Sequence, residues 1–255
     1  MEQIDFLIRF PNKEMTAREY IGFCKIILKS LLNASSDFTT VGIWSQVKKA
    51  NYNFDMNLTN FEETILKEMQ IESEEYAFIN ENESEKNLMP DSRSYGNFAF
   101  SFAFSFNGDE SREMGVSIWA GDSGNKETGI LNFTFPEKTE SSITLKKILP
   151  LLKINIDLVN PYYATISSFE FRKKANQKDD KFKIGWINYF SDKQTASLLP
   201  KDVSKEVLPN GGVIFWLSEE RTVSTNETLV AKATEIRNIL AKKGLLKYSQ
   251  VKPMT

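Results

Sequence analysis

Residues 97–106 read Asn97-Phe98-Ala99-Phe100-Ser101-Phe102-Ala103-Phe104-Ser105-Phe106, and this alternation decides the fold. A period of two is the signature of a strand, so all five phenylalanines share one face and only Ala and Ser occupy the other. At ~3.4 Å per residue the strand is about 34 Å long. At ~25 cal/mol per Å² and ~150 Å² per ring, covering the aromatic face is worth on the order of 15 kcal/mol before entropy. That requirement predicts a central strand under a helix. The small face is either closely approached by another backbone or left as a floor open to solvent.

Further strands are expected on both sides of it. Ile4–Phe10 ends in Pro11-Asn12, and Val41–Ser45, Met114–Ala120 and Ile130–Phe135 follow. The polar, Gly-bounded stretch Gly121–Gly129 suits a hairpin between the last two. Tyr162–Phe171, Phe182–Phe190 and Gly212–Leu217 read as strands as well, with a charged loop Arg172–Lys181 between the first two. Thr16 and Glu19 form a T-x-x-E capping box before an apolar face of Tyr20, Cys24, Ile27, Leu28 and Leu31. Cys24 on that face predicts a packed thiol. Thr59 and Glu62 can open a short helix reaching Met69, Ser141–Val159 reads as a helix kinked or split by Pro150, and Ser224 and Glu227 can cap a last helix ending at Gly244. Strands outnumber helices and follow one another. The class is therefore α+β, with a mainly antiparallel or mixed sheet and amphipathic helices packed on one face. One domain over 1–255 is expected, possible halves being 1–108 and 109–255.

Composition removes most chemistry. The 255 residues include no His and one Cys, which excludes Ser/His and Cys/His nucleophile pairs, multi-cysteine metal sites and intrachain disulfides. With 32 Lys+Arg against 34 Asp+Glu, the net charge of −2 argues against a nucleic-acid binder. No apolar run approaches the ~20 residues of a membrane span, and the N-terminus lacks a signal-peptide pattern. A cytoplasmic protein is expected, with no catalytic residues, metal or cofactor. Two weak enzyme signals remain. Asp91 with Asp179 and Lys181 resembles a metal-dependent nuclease set, and Ser45 with Lys48 makes an S-x-x-K tetrapeptide; neither has the structural context its chemistry needs. A carboxylate/Lys metal-dependent hydrolase is the alternative reading, and a small-ligand module on the uncovered face of the Phe strand is another.

Charge is unevenly placed. From Asp55 to Asp91 eleven acids meet two bases, Lys67 and Lys86, a local charge of −9. Glu72, Glu74, Glu75, Glu81, Glu83 and Glu85 in this stretch are candidate residues for steering a basic protein partner. Arg221–Lys252 carries seven bases and two acids. The four tryptophans, Trp44, Trp119, Trp186 and Trp216, all fall in or at the end of expected strands. Sheet packing accounts for such residues, and one or two projecting from an uncovered face would serve as anchors for a protein; Trp119 and Trp186 are the candidates taken.

The distal half also carries a recognisable order. The strand Gly185-Trp186-Ile187-Asn188-Tyr189-Phe190-Ser191 is followed by Pro200, the strand Gly211-Gly212-Val213-Ile214-Phe215-Trp216-Leu217, and Asn226 opening the last helix. This order resembles the immunity protein 52 family of bacterial polymorphic toxin systems over residues ~110–246, mainly at Gly185–Ser191 and Gly211–Ala241, with the acidic segment outside it. The resemblance implies an α+β protein that binds and neutralises a cognate toxin. In that family the toxins resemble nucleases with a restriction-endonuclease fold, delivered by contact-dependent or type VI secretion.

Overall fold

The computed structural model describes residues 2–34, 38–72, 78–79, 88–106, 109–122, 128–135 and 143–247. In chain order the elements are β1 (Ile4–Pro11), α1 (Ala17–Ala34), β2 (Phe38–Ser45), β3 (Ala50–Phe54), α2 (Phe61–Glu72), β4 (Phe78–Ile79), β5 (Arg93–Ser94) and β6 (Phe98–Phe106). Then follow β7 (Asp109–Ala120), β8 (Thr128–Phe135), α3 (Leu145–Val159), β9 (Tyr163–Ser168), α4 (Phe169–Ala175), β10 (Ile187–Phe190), α5 (Thr195–Leu198), β11 (Ser204–Val207), β12 (Val213–Trp216) and α6 (Glu227–Lys242). Ten strands make an antiparallel sheet in the order β11-β12-β10-β9-β1-β8-β7-β6-β2-β3, and the fold is α+β. By contacts the chain divides into two compact units, one of Pro11–Asn132 with Leu151–Leu158, the other of Met1–Phe10, Phe133–Pro150 and Val159–Thr255.

In the unit around Pro11–Asn132, β6 lies between β7 and β2, and its phenylalanine face is covered as the alternation requires. Tyr20 of α1 stacks on Phe98 with centroids 5.2 Å apart, and Phe61 of α2 stacks on Phe102 at 5.7 Å. Phe98, Phe102 and Phe104 are buried and Phe100 is half-buried. The Thr16/Glu19 box closes as expected: Thr16 N–H donates to the Glu19 carboxylate at 2.8 Å, and Glu19 N–H donates to Thr16 Oγ at 3.2 Å. Cys24 is fully buried on α1, and burial pushes its thiol up to about 12. Strand β3 has no counterpart in the sequence reading.

In the other unit, β9 and β10 are buried on both faces. Tyr163, Phe190 and Phe215 pack with Phe171 of α4 and Ala233, Ile236 and Leu240 of α6. The chain departs here from the expected strand Tyr162–Phe171 and charged loop. The strand stops at Ser168, whose hydroxyl accepts the Phe171 N–H at 3.1 Å and starts α4. The cap of α6 is Asn226, accepting from Leu229 N–H at 3.1 Å, rather than Ser224, whose own N–H donates to the Glu2 carboxylate at 2.9 Å. Helix α3 runs through Pro150 as one element.

The residues Gly185–Ser191 form an interlocked core feature. A Cβ on Gly185 would lie 2.4 Å from Thr165 Oγ1 and 2.7 Å from Ser167 Cβ, so only glycine fits. Buried Asn188 accepts the Gly185 N–H at 2.7 Å and donates back to the Gly185 carbonyl at 3.0 Å. Trp186 is fully buried and donates Nε1–H to the Ser218 carbonyl at 2.9 Å.

Candidate partner surface

The small-residue face of β6 is open at its middle, where Ser101 is exposed and Ala99 and Ala103 are half-buried, and closes at Ser105, which is buried. Register defines its floor. Ala99 pairs with Trp119, Ser101 with Ser117 and Ala103 with Gly115 across β6 and β7, while Gly42 of β2 pairs with Ala103 on the other side. Ser101 is exposed and its hydroxyl shares a 2.8 Å hydrogen bond with Ser117. Trp44, two residues beyond Gly42 on the same face, is 61% exposed, and Trp119 is half-buried. Two indoles thus stand on the strands flanking β6, with nothing larger than Ser on β6 between them. A floor of small residues with aromatic edges offers what protein recognition sites use, rigid apolar area supplied by Trp.

Gly42 has no room for a side chain, since a Cβ there would lie 2.4 Å from Asn53 Oδ1 and 3.0 Å from the Tyr52 carbonyl. The turn that follows Trp44 is fixed from beneath. Glu68 of α2 is 3% exposed; its carboxylate accepts the Ser45 hydroxyl, the Gln46 N–H at 2.7 Å and the Val47 N–H at 3.3 Å. Ser45 Oγ in turn accepts the Lys48 N–H at 3.0 Å, and Lys48 Nζ sits 3.7 Å from the centre of the Tyr52 ring. The S-x-x-K tetrapeptide is therefore turn geometry: the serine is held by Glu68 and the lysine amine lies over an aromatic ring. Glu68→Ala should cost about 2 kcal/mol in urea unfolding, because buried donors lose their acceptor. A loss below about 0.5 kcal/mol would mean that the turn stands without the carboxylate.

The other candidate residues fall as follows. Trp186 offers no surface to a partner, because its ring is wholly inside the core; this corrects its selection as an anchor. Trp216 is half-buried and donates to Glu219 at 3.2 Å. Glu74, Glu75, Glu81, Glu83 and Glu85 lie outside the described residues, and Glu72 is described only as the backbone end of α2. Asp91 is exposed beside Arg18 at 4.0 Å. In the Asp179-Asp180-Lys181 loop, the carboxylate that is engaged is Asp180, bound by Arg237 through two 2.7 Å bonds. Among the described residues no three His, Cys, Asp or Glu side chains converge as a metal site. A cleft of about 310 Å³ between α1 and α2 is lined by Arg18, Ile21, Glu62, Glu63, Leu66 and Pro90, a mixed charged lining away from the uncovered floor. No helix of the described residues is long and apolar enough to cross a membrane.

Trp44 was missed as an anchor because its strand, Val-Gly-Ile-Trp-Ser, lacks clean alternation. The register against β6 was the signal that placed it, and register is not local information.

The fold and this surface define an α+β protein that displays an uncovered, aromatic-edged sheet face. The chain belongs to the immunity protein 52 family, whose profile matches residues 53–249. The match includes the acidic segment that the sequence resemblance had left outside, and it includes the buried Gly185–Ser191 feature. Trp44 precedes it. No curated protein matches the chain. Among solved structures, the Pseudomonas aeruginosa T6SS protein PA0821 is similar, with 11% identity, a TM-score of 0.47, and coverage of 92% of this chain and 72% of that chain.

Proposed function

We propose that this chain neutralises one cognate bacterial toxin, a nuclease effector, by binding it directly and stoichiometrically in the cytoplasm. The observation that carries the reading is family membership over residues 53–249, an immunity family by description. The floor between Trp44 and Trp119 supports a mode of action by surface complementarity, since one exposed and one half-buried indole beside small residues give a partner apolar area to desolvate. The −9 charge of residues 55–91 supports a basic partner, as a nuclease that holds DNA would be.

The test is co-production with the toxin encoded beside it. A sensitive host should survive with both and die with the toxin alone; death in both cases ends the reading for that pair. Purified toxin separates the finer claim: DNA cleavage should fall in proportion to added protein and vanish near one equivalent. A toxin with no action on nucleic acid would overturn the nuclease assignment while leaving immunity intact. Replacing Glu72, Glu74, Glu75, Glu81, Glu83 and Glu85 with Gln should slow association and flatten its dependence on salt. Unchanged kinetics would remove the acidic segment from the encounter.

A further inference from the structure

The sheet terminates at β3, and no strand among the described residues pairs with its outer edge. Ala50, Asn51 and Asn53 are exposed, and among the described residues the backbone hydrogen bonds of β3 run to β2 alone. An open edge is a row of N–H and C=O groups that only another extended chain can match, and folded proteins usually blunt it with charge or proline. The opposite edge, β11, is blunted in this way by Lys205 and Glu206. Strand β3, Ala50-Asn51-Tyr52-Asn53-Phe54, carries no charge at all.

The charges instead flank it, with opposite sign. Lys49 precedes the strand and Asp55 follows it, both exposed. Laid antiparallel on itself with Tyr52 at the two-fold axis, the segment places each Lys49 opposite the other copy's Asp55 and each Asn51 opposite the other copy's Asn53. Such self-matching is what an isologous contact requires. The Asp55 carboxylate is held at the strand end by the Thr59 N–H, which donates to Oδ1 at 2.8 Å, and that bond keeps it in its charged form. The pairing also continues the uncovered floor. Trp44 pairs with Asn51 and Gly42 with Asn53, so one row would read Trp44, Asn51, then Asn53 and Gly42 of the second copy.

We propose that β3 pairs with β3 of a second copy of this chain, antiparallel and centred on Tyr52, joining two sheets into one. A contact of five residues a side is small, so the dimer is weak, with a Kd on the order of tens of micromolar. The inference does not depend on the toxin.

The measurement is sedimentation equilibrium of the full chain from ~1 to ~300 μM, a range that brackets such a Kd. The average mass should climb from one chain toward two. Lys49→Asp or Asp55→Lys alone sets like charges against each other at both ends and should weaken association about tenfold. Mixing the two variants restores an opposite pair at each end. The aspartate introduced at position 49 of one chain then faces the lysine introduced at position 55 of the other, and the native Asp55 of the first faces the native Lys49 of the second. The mixture should dimerise within about threefold of the parent. Cooperative urea unfolding checks that each variant folds. If Asp55→Lys does not, Asp55→Asn keeps the acceptor for Thr59 and should weaken the dimer a few-fold. A chain that stays monomeric throughout, single variants that associate like the parent, or a mixture no better than its components would each overturn the proposal, the first of them leaving the edge to a strand from another protein.

Discussion

Arg237→Met will cost about 3 kcal/mol of folding free energy, since a buried charge then loses its partner. Arg237 and Asp180 are 10% and 6% exposed in their side chains, and the guanidinium meets the carboxylate with both Nε and Nη2 at 2.7 Å. Nη2 also donates to Gln177 Oε1 at 2.7 Å and Nη1 to Asn238 Oδ1 at 3.0 Å, so the fork is nearly saturated. The pair ties the loop after α4 to α6. Removing both charges together, as Arg237→Met with Asp180→Leu, should recover much of the loss, because the desolvation penalty disappears with the attraction. The pH dependence has a definite sign. Burial raises the Asp180 carboxyl, but the Arg237 hydrogen bond, the Gln177 N–H and the Arg237 charge together outweigh it and hold the group below its ordinary value. A depressed carboxyl contributes stability above its unfolded value, near ~4, and loses it as pH falls through the folded value. In Arg237→Met the stranded carboxylate favours protonation, so the gap between parent and variant should narrow toward acid. Urea midpoints at about pH 7.5 and about pH 2.5 read this directly, on either side of the carboxyl's unfolded titration. An equal gap at both, or one below ~1 kcal/mol at neutral pH, would show the pair to be ornamental to folding.

Trp44→Ala should weaken toxin binding by about thirtyfold or more, and Trp119→Ala by a similar factor, as expected of central aromatic anchors worth ~2 kcal/mol or more. Stability separates contact from scaffold. With 61% of its surface exposed, Trp44 should change the unfolding free energy by under ~0.5 kcal/mol when truncated, whereas half-buried Trp119 should cost somewhat more. Calorimetry with purified toxin supplies the affinities. Parent-like binding by both variants would move recognition off the sheet face, most directly to the acidic segment.

Much of the architecture was legible because it is written in local patterns. Five alternating phenylalanines force a covered central strand, and α1 and α2 supply Tyr20 and Phe61 to cover it. The Thr16/Glu19 box is a local device and closed as read. Ser168 and Asn226 were harder, since each competes with neighbours that also look like caps, and tertiary demand decided between them. Ser224 was withdrawn from capping by Glu2, 222 residues away in sequence. Strands β3 and β11 are short and polar and owe their form to β2 and β12, which no local window contains. The candidate site divides along the same line. The alternation predicted a small-sided face, either approached by another backbone or open, but which tryptophans border it is a matter of register: Trp44 and Trp119 project there, while Trp186 serves the interior. Within Gly185–Ser191, one of the stretches that carry the family resemblance, Gly185, Trp186 and Asn188 are held by steric and hydrogen-bonding needs of the core. They identify the scaffold and carry no information about what it grips.

The lone sulfhydryl on α1 has a practical consequence. With an ionisation near 12, only about one Cys24 in ten thousand is a thiolate at about pH 8, and it is walled off from reagents. The native chain is thus chemically silent toward maleimides. A cysteine engineered at any outward position would be the sole point of attachment for a dye or spin label, and distances measured from it would be free of background.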